Sequence, residues 1–328
     1  MTPEQILAVE PVVLTQAQRE FYFSEGYLLV PGVIGQEWLE RLRDATAKLV
    51  ERSRAVEKSD EIFDLEPGHT RDAPRLRRVS RPVEHDSVFW AYVTESLLPA
   101  IVSDLVGPDV KFHHSKLNFK WLAGGEEVKW HYDIAFWPHT NYSPLTVGTY
   151  LYDCGMEQGP LAVLPRSHLI DPMLTQYDDD GKWTGCLGQR DLEKLDLAQA
   201  EYLTGAAGSL TLHNCRTLHS SPKNMSDLGR PLLLNTFSSA DALPYTPNPL
   251  RSRFDQTIVR GRPATHAHHD PRPCLLPPDW SGGYSSIFAL QQREEQRGQP
   301  GMVGNDVGMA AAGGSSTTPA STAGSGMM

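Results

Sequence analysis

The sequence predicts a mainly β chain, a jelly-roll-like barrel preceded by helices. Three observations predict it. Before Gly107-Pro108, apolar residues recur at helical spacing. After it, short runs rich in Val, Thr, Tyr, Phe and Leu alternate with Gly, Pro, Asn and Asp turns, the pattern of a sandwich or barrel. No linker-like stretch separates the two parts, so they are read as one unit.

The elements follow in order. Thr15 precedes QAQREFYFSEGY as an N-cap and Gly26 stops that helix. YLLV at 27–30 reads as a short strand ended by Pro31-Gly32. Residues 36–53 carry Trp38, Leu39, Leu42, Ala45, Leu49 and Val50 on one face of a helix, with charges opposite. A third helix is expected over about 88–105. Strands are expected at 110–122, 127–136, 145–152, 161–164, 209–212, 216–219 and 231–238. Between them, 173–203 is polar and reads as an insertion over the barrel mouth, helical at 191–200. The expected organisation is a single domain over 1–296, with a helical part at about 14–106, a jelly-roll core at about 107–240 and an extension at 241–296. Residues 297–328 are Gly, Ala, Ser and Thr with almost no charge, and read as a disordered tail.

Composition narrows the class. The 328 residues hold 30 Lys and Arg against 40 Asp and Glu, a net charge of −10, which argues against nucleic acid as partner. No apolar run is long enough to span a membrane, and the N-terminus lacks a secretory pattern. Cys154, Cys186, Cys215 and Cys274 form no CxxC pair. A disulfide framework is therefore not expected, and a reducing cytoplasm is.

The chemistry sits in Lys129-Trp130-His131-Tyr132-Asp133. Residues two apart on a strand share a face, so His131 and Asp133 project together. An imidazole and a carboxylate on one face can take adjacent positions around a metal. A second histidine from a later strand completes a two-His-one-carboxylate face, leaving positions open on Fe(II). His168, His213 and His219 are the candidates. His219 stands eleven residues before Arg230, a spacing that suits a hairpin bringing both into one cavity. His213 shares the face of His219 in an unbroken strand but lacks that relation to Arg230. A guanidinium facing a pocket matches a carboxylate bidentately, as a chelating dicarboxylate would require.

Several motifs in order resemble the phytanoyl-CoA dioxygenase family of Fe(II)/2-oxoglutarate-dependent oxygenases. They are GYLLVPGVI after the N-terminal helix, HHSKLNFKW at 113–121, WHYD at 130–133, GPLAVLPRSHL at 159–169, GSLTLHNCRTLHSSPKN at 208–224, and Gly229-Arg230. Arg166 stands where that family usually has glycine. The resemblance, over roughly 14–240, implies a double-stranded β-helix of cupin-like type. It implies iron on His131, Asp133 and His219, and 2-oxoglutarate on Arg230 helped by Ser221, Thr149 and Asn118. O2 would be the oxidant and a small organic molecule the substrate, hydroxylated with release of succinate and CO2. Halogenating relatives replace the carboxylate by a small residue, so Asp133 favours hydroxylation. Trp137, Lys116, His139 and Tyr132 are the candidate substrate contacts, suggesting an anionic or zwitterionic molecule.

Other features have plainer readings. His168 is expected to bond backbone in its turn. His266, His268, His269 and Asp270 lie among prolines and read as a surface loop or lid. Arg75, Arg77, Arg78 and Arg81 read as a solvated or ion-paired face, with an anionic substrate as the alternative. Lys116 and Lys120 could each point into the cavity. Two further hypotheses stand beside the oxygenase: a cupin-type metalloenzyme that does not use 2-oxoglutarate, which gives Arg230 no task, and a non-catalytic ligand-binding relative.

Overall fold

The computed structural model describes residues 1–121, 125–278, 286–288 and 291. The expected tail at 297–328 lies outside them. Seven α-helices and twelve strands are defined among the described residues. The helical part holds α1 (Pro3–Leu7), α2 (Gln16–Glu25), β1 (Tyr27–Val30), α3 (Gln36–Ser53), β2 (Phe63–Leu65), β3 (Leu76–Ser80), α4 (Pro82–His85), α5 (Ser87–Glu95) and α6 (Leu98–Val106). There follow β4 (Val110–Asn118), β5 (Val128–His131), β6 (Leu145–Tyr150), β7 (Leu161–Val163), α7 (Gln189–Leu192) and β8 (Glu201–Leu203). The last strands are β9 (Leu210–Asn214), β10 (His219–Ser221), β11 (Leu232–Ser239) and β12 (Ile258–Arg260).

Local chemistry explains the helix ends. The Thr15 hydroxyl accepts from the Gln18 amide at 3.2 Å, while the Gln18 side chain accepts from the Thr15 amide at 2.8 Å. Gly26 closes α2 at φ 85°, and a Cβ there would collide with His168 and Thr217. In α3, Leu39, Leu42, Ala45, Thr46 and Leu49 are buried at three- and four-residue spacing. The helix expected at 88–105 is two. Ser96 turns its hydroxyl back onto the Tyr92 carbonyl, and Pro99 sits in the first turn of α6, where its missing N–H costs nothing. Within the insertion, the helix is shorter and earlier than expected, at α7.

The strands form two antiparallel sheets. The larger runs β1-β9-β6-β11-β4-β3-β2, with β12 also on β4; the smaller runs β5-β10-β7-β8. This is a double-stranded β-helix, jelly-roll and cupin-like, with flanking helices. Three strands from the helical part, β1, β2 and β3, extend the larger sheet. The main core lies between that sheet and α2, α3, α5 and α6, and includes Leu42, Tyr92, Ile101, Phe112 and Phe237. A second core joins the smaller sheet to the insertion through Tyr132, Phe136, Trp137, Trp183 and Leu218, with Ile287 and Phe288 from the C-terminal extension. The Leu187 amide donates to the Trp130 carbonyl, tying the insertion to β5. Among the described residues no single helix is long and apolar enough to cross a membrane.

Candidate metal centre and its cavity

Strand pairing brings the two histidines together. His131 ends β5 and His219 begins β10, and they are direct cross-strand partners, with ring centroids 4.1 Å apart. Asp133 follows β5 by two residues and returns to the same face. Among the described residues, His131, Asp133 and His219 are the one set of three potential ligands whose donor atoms lie within 4.8 Å of one another. All three are buried.

Each imidazole is preset. His131 Nδ1 bonds the Lys129 carbonyl at 2.8 Å and His219 Nδ1 bonds the Thr217 carbonyl at 2.9 Å. A carbonyl only accepts, so both Nδ1 atoms carry the proton and both Nε2 lone pairs are free. Those Nε2 atoms stand 3.9 and 3.8 Å from the same oxygen, Asp133 Oδ1. The other oxygen, Oδ2, is occupied elsewhere. Thr146 Oγ1 donates to it at 2.9 Å and His213 Nε2 lies 3.3 Å away. Asp133 thus presents one oxygen to the histidine pair and has the second fixed. His213 is a partner of the carboxylate rather than a member of the triad.

The electrostatics suit a cation. Burial would raise the Asp133 pKa, but Lys116, His213 and His219 outweigh it and hold it well below the ordinary carboxylate range. Burial pushes His131 down to about 4, Asp133 opposing, and pushes His219 well below its usual value. An ionised carboxylate with two neutral imidazoles is the donor set that Fe(II) takes.

A narrow cavity of about 70 Å³ opens from this triad between the two sheets. Arg230 lines it and is buried. Its Nη2 donates to Ser221 Oγ at 3.1 Å, and Ser221 Oγ donates to the Gly159 carbonyl at 2.9 Å. Its Nε and Nη1 are buried with no partner among the described residues. A guanidinium with two orphaned buried donors needs an oxyanion, since each unmade bond costs about 1–3 kcal/mol. Gly159 has φ 66°, and a Cβ there would run into the Pro222 carbonyl, so this cradle requires glycine.

The remaining expectations divide. Asn118 lines the cavity and accepts from Arg78 Nε at 3.2 Å. Lys116 and Trp137 also line it. Thr149 does not. It lies on the opposite face of β6, where its hydroxyl bonds the Tyr92 hydroxyl at 2.9 Å; the cavity-facing residue of that strand is Thr146. Tyr132 is likewise corrected, because it alternates with His131 and Asp133 and points into the second core. His139 lines a separate surface hollow and bonds the Trp137 carbonyl through Nδ1. Its ring stands edge-on to the cavity-lining Trp137, with centroids 5.9 Å apart. Lys120 is spent on structure. Its ammonium donates to the carbonyls of Glu126, Ser221 and Pro222, and burial, with Arg230 nearby, pushes its pKa down to about 6.

Outside the cavity the plainer readings hold. His168 Nε2 bonds the Phe23 carbonyl at 3.1 Å. His266 and His269 are exposed and Asp270 pairs with Arg272, with no ligand cluster among them. Arg166 adopts φ 65°, the left-handed region that explains why glycine is usual at that turn. Sequence reasoning missed Thr146 and His213 as carboxylate partners. The alternation of β6 from Tyr150 back through Gly148 would have found Thr146.

Comparison with known proteins fits this geometry. The family model described as phytanoyl-CoA dioxygenase (PhyH) matches residues 22–232. A probable alpha-ketoglutarate-dependent hypophosphite dioxygenase of Stutzerimonas stutzeri is 28% identical over 286 residues, covering 87% of this chain and 99% of that protein. Ectoine dioxygenase of Halomonas elongata is 27% identical over 269 residues, covering 75% and 79%. Among solved structures, EctD from S. alaskensis with 2-oxoglutarate and 5-hydroxyectoine has a TM-score of 0.59 at 20% identity, covering 84% and 92%, which shows the shared fold.

Proposed function

The chain belongs to the phytanoyl-CoA dioxygenase family, and from that premise we propose how its cavity works. It is an iron(II)- and 2-oxoglutarate-dependent oxygenase. In our reading His131 and His219 hold the iron through Nε2 and Asp133 through Oδ1. Arg230 and Ser221 take the far carboxylate of 2-oxoglutarate. The observation that carries this is the buried Arg230, with two unpartnered donors in the same cavity as the triad. A metalloenzyme that dispenses with 2-oxoglutarate leaves that guanidinium without a counterion.

Bound iron and 2-oxoglutarate supply the oxidation: O2 is consumed, CO2 is lost, one oxygen atom leaves in succinate and the other goes to the substrate. The chain's own residues do the rest. Thr146 and His213 hold Oδ2, so that Asp133 keeps Oδ1 aimed at the ligand position. Lys129 and Thr217 fix both imidazoles through their backbone carbonyls. Phe136, Trp137, Leu232 and Leu234 give the cavity apolar walls, which limit water and strengthen the charged contacts inside it. The retained carboxylate supports hydroxylation of a small molecule as the outcome. Relatives named for hypophosphite, ectoine and L-proline support a small, charged substrate. All four cysteines are free, which supports a cytoplasmic location.

Anaerobic addition of 2-oxoglutarate to the Fe(II)-loaded protein tests this. The wild type should develop a weak visible metal-to-ligand charge-transfer band. Arg230→Ala should need far more 2-oxoglutarate to reach it, and His219→Ala should lose it. A folded, iron-loaded wild type with no band would contradict the assignment and favour the cupin-type alternative.

A further inference from the structure

Four arginines stand close together at positions 75, 77, 78 and 81, and three of them are accounted for. Arg75 pairs with Glu66 at 3.0 Å. Arg77 pairs with Glu126 at 2.6 Å and Asp64 at 3.5 Å. Arg81 pairs with Glu61 and Glu84 at 3.5 and 3.9 Å. Arg78 differs. It is the neighbour of Arg77 on β3, so it points to the opposite face, and that face is the cavity. It is 1% exposed and forms no ion pair among the described residues. Its Nε donates to Asn118, its Nη1 is buried without a partner among the described residues, and its guanidinium carbon lies 5.6 Å from the Phe288 ring centroid.

Lys116 faces the same space from β4. The described residues offer its ammonium no hydrogen-bond acceptor, and Asp133 is the one carboxylate lining the cavity. Asp133 attracts Lys116 electrostatically, but its two oxygens are committed to Thr146, His213 and the triad. Setting aside Lys120, whose buried ammonium is satisfied by three carbonyls and pushed to a pKa of about 6, the cavity carries Arg78, Lys116 and Arg230 against one carboxylate, before a divalent metal adds its own charge. A 2-oxoglutarate dianion offsets only half of the resulting excess. Buried cations without counterions are costly, and in a binding site the ligand supplies the counterion.

We propose that Arg78 and Lys116 form a second anion site in the cavity, and that it binds the oxyanion head group of a small substrate, a phosphonate, phosphinate or carboxylate. The proposal rests on the metal and cosubstrate assignment above, because it takes Arg230 as already used by 2-oxoglutarate. Asn118 orients the Arg78 fork through Nε, leaving the outer nitrogens for the head group. Phe288 stacks against that guanidinium and, with Ile287 and Leu250, walls this end with apolar surface. A small head group fits such a corner, with the rest of the molecule directed to Trp137 and the metal.

The test is calorimetric titration under anaerobic conditions into the Fe(II)- and 2-oxoglutarate-loaded protein. The probes are methylphosphonate, propionate and, as a neutral control, dimethyl methylphosphonate. At least one anion should bind the wild type, and whichever binds more tightly identifies the head group; the neutral ester should not bind. Arg78→Gln and Lys116→Gln should each weaken anion binding at least about tenfold, as loss of a charge-assisted bond implies. Lys116→Arg should restore most of it. The 2-oxoglutarate band should persist in every variant, which also reports folding. The proposal is overturned if neither anion binds while the band forms, if the Gln variants bind as the wild type does, or if they lose 2-oxoglutarate instead. A wild type without the band would overturn the underlying assignment itself, a separate and recognisable result.

Discussion

The cavity carries two cationic groupings, Arg230 on one side and Arg78 with Lys116 on other strands that line it, and they are built differently. Arg230 sits in a finished cradle. Ser221 accepts from it, Gly159 accepts from Ser221, and the Lys120 and Arg230 backbones exchange hydrogen bonds at 3.1 and 2.8 Å. Arg78 and Lys116 project from adjacent strands, and among the described residues the Asn118 carbonyl is the one side-chain acceptor that bonds either of them. A cradle preorganised to that degree suits a ligand of constant shape, which 2-oxoglutarate is. The sparser pair leaves more of the recognition to the incoming molecule. Conserving the chemistry while changing the substrate would then require substitutions at the second grouping alone.

Variants at each grouping break or sharpen this comparison. The largest effect is expected at the triad. Asp133→Ala or His219→Ala should abolish both the charge-transfer band and succinate formation, whichever substrate is offered. Arg230→Ala comes next. Loss of a buried, charge-assisted pair of bonds, about 1.5–3 kcal/mol, corresponds to a KM for 2-oxoglutarate raised roughly 10- to 100-fold. Steady-state succinate assays should show most of kcat recovered at saturation. An equal fall in kcat with unchanged KM would place Arg230 outside cosubstrate binding. Thr146→Val removes one of the two groups on Asp133 Oδ2. Iron affinity, measured by anaerobic titration, should fall about 10-fold or somewhat more. The smallest effect belongs to Thr149→Val. That hydroxyl faces Tyr92, so the KM for 2-oxoglutarate should not move, while thermal unfolding reports a loss of about 1 kcal/mol. A raised KM would return Thr149 to the cosubstrate site.

The two groupings were also unequally legible. The metal ligands and Arg230 follow from local rules: an HxD on one strand, a histidine and arginine eleven residues apart, and motifs in a recognisable order. The hairpin that this spacing suggested is not formed: β10 pairs with β5 and β7 in the smaller sheet, while β11, which follows Arg230, pairs with β4 and β6 in the larger, so His219 and Arg230 reach the cavity from different sheets. The helices were legible where caps mark them, as at Thr15 and Gly26, and where apolar spacing is regular, as in α3. The grouping of Arg78 and Lys116 was not. β2 and β3 are three and five residues long, and LRRVS is buried at every position, so no alternation betrays a strand. Without β3 placed, Arg78 cannot be separated from Arg77, although one is ion-paired and the other faces the cavity. Thr149 and Tyr132 failed for a related reason. A shift of one residue on a strand exchanges the faces, and resemblance places a segment more securely than it places a face. Likewise, the break between α5 and α6 depends on how Ser96 spends its hydroxyl, which spacing alone does not show.

The division of the cavity is tested most directly by an anaerobic crystal structure with Fe(II) and 2-oxoglutarate bound. The account predicts iron on His131, Asp133 and His219, the far carboxylate of 2-oxoglutarate on Arg230 and Ser221, and Arg78 and Lys116 without cosubstrate contact. Density placing that carboxylate on Arg78 and Lys116, with Arg230 unengaged, would contradict it.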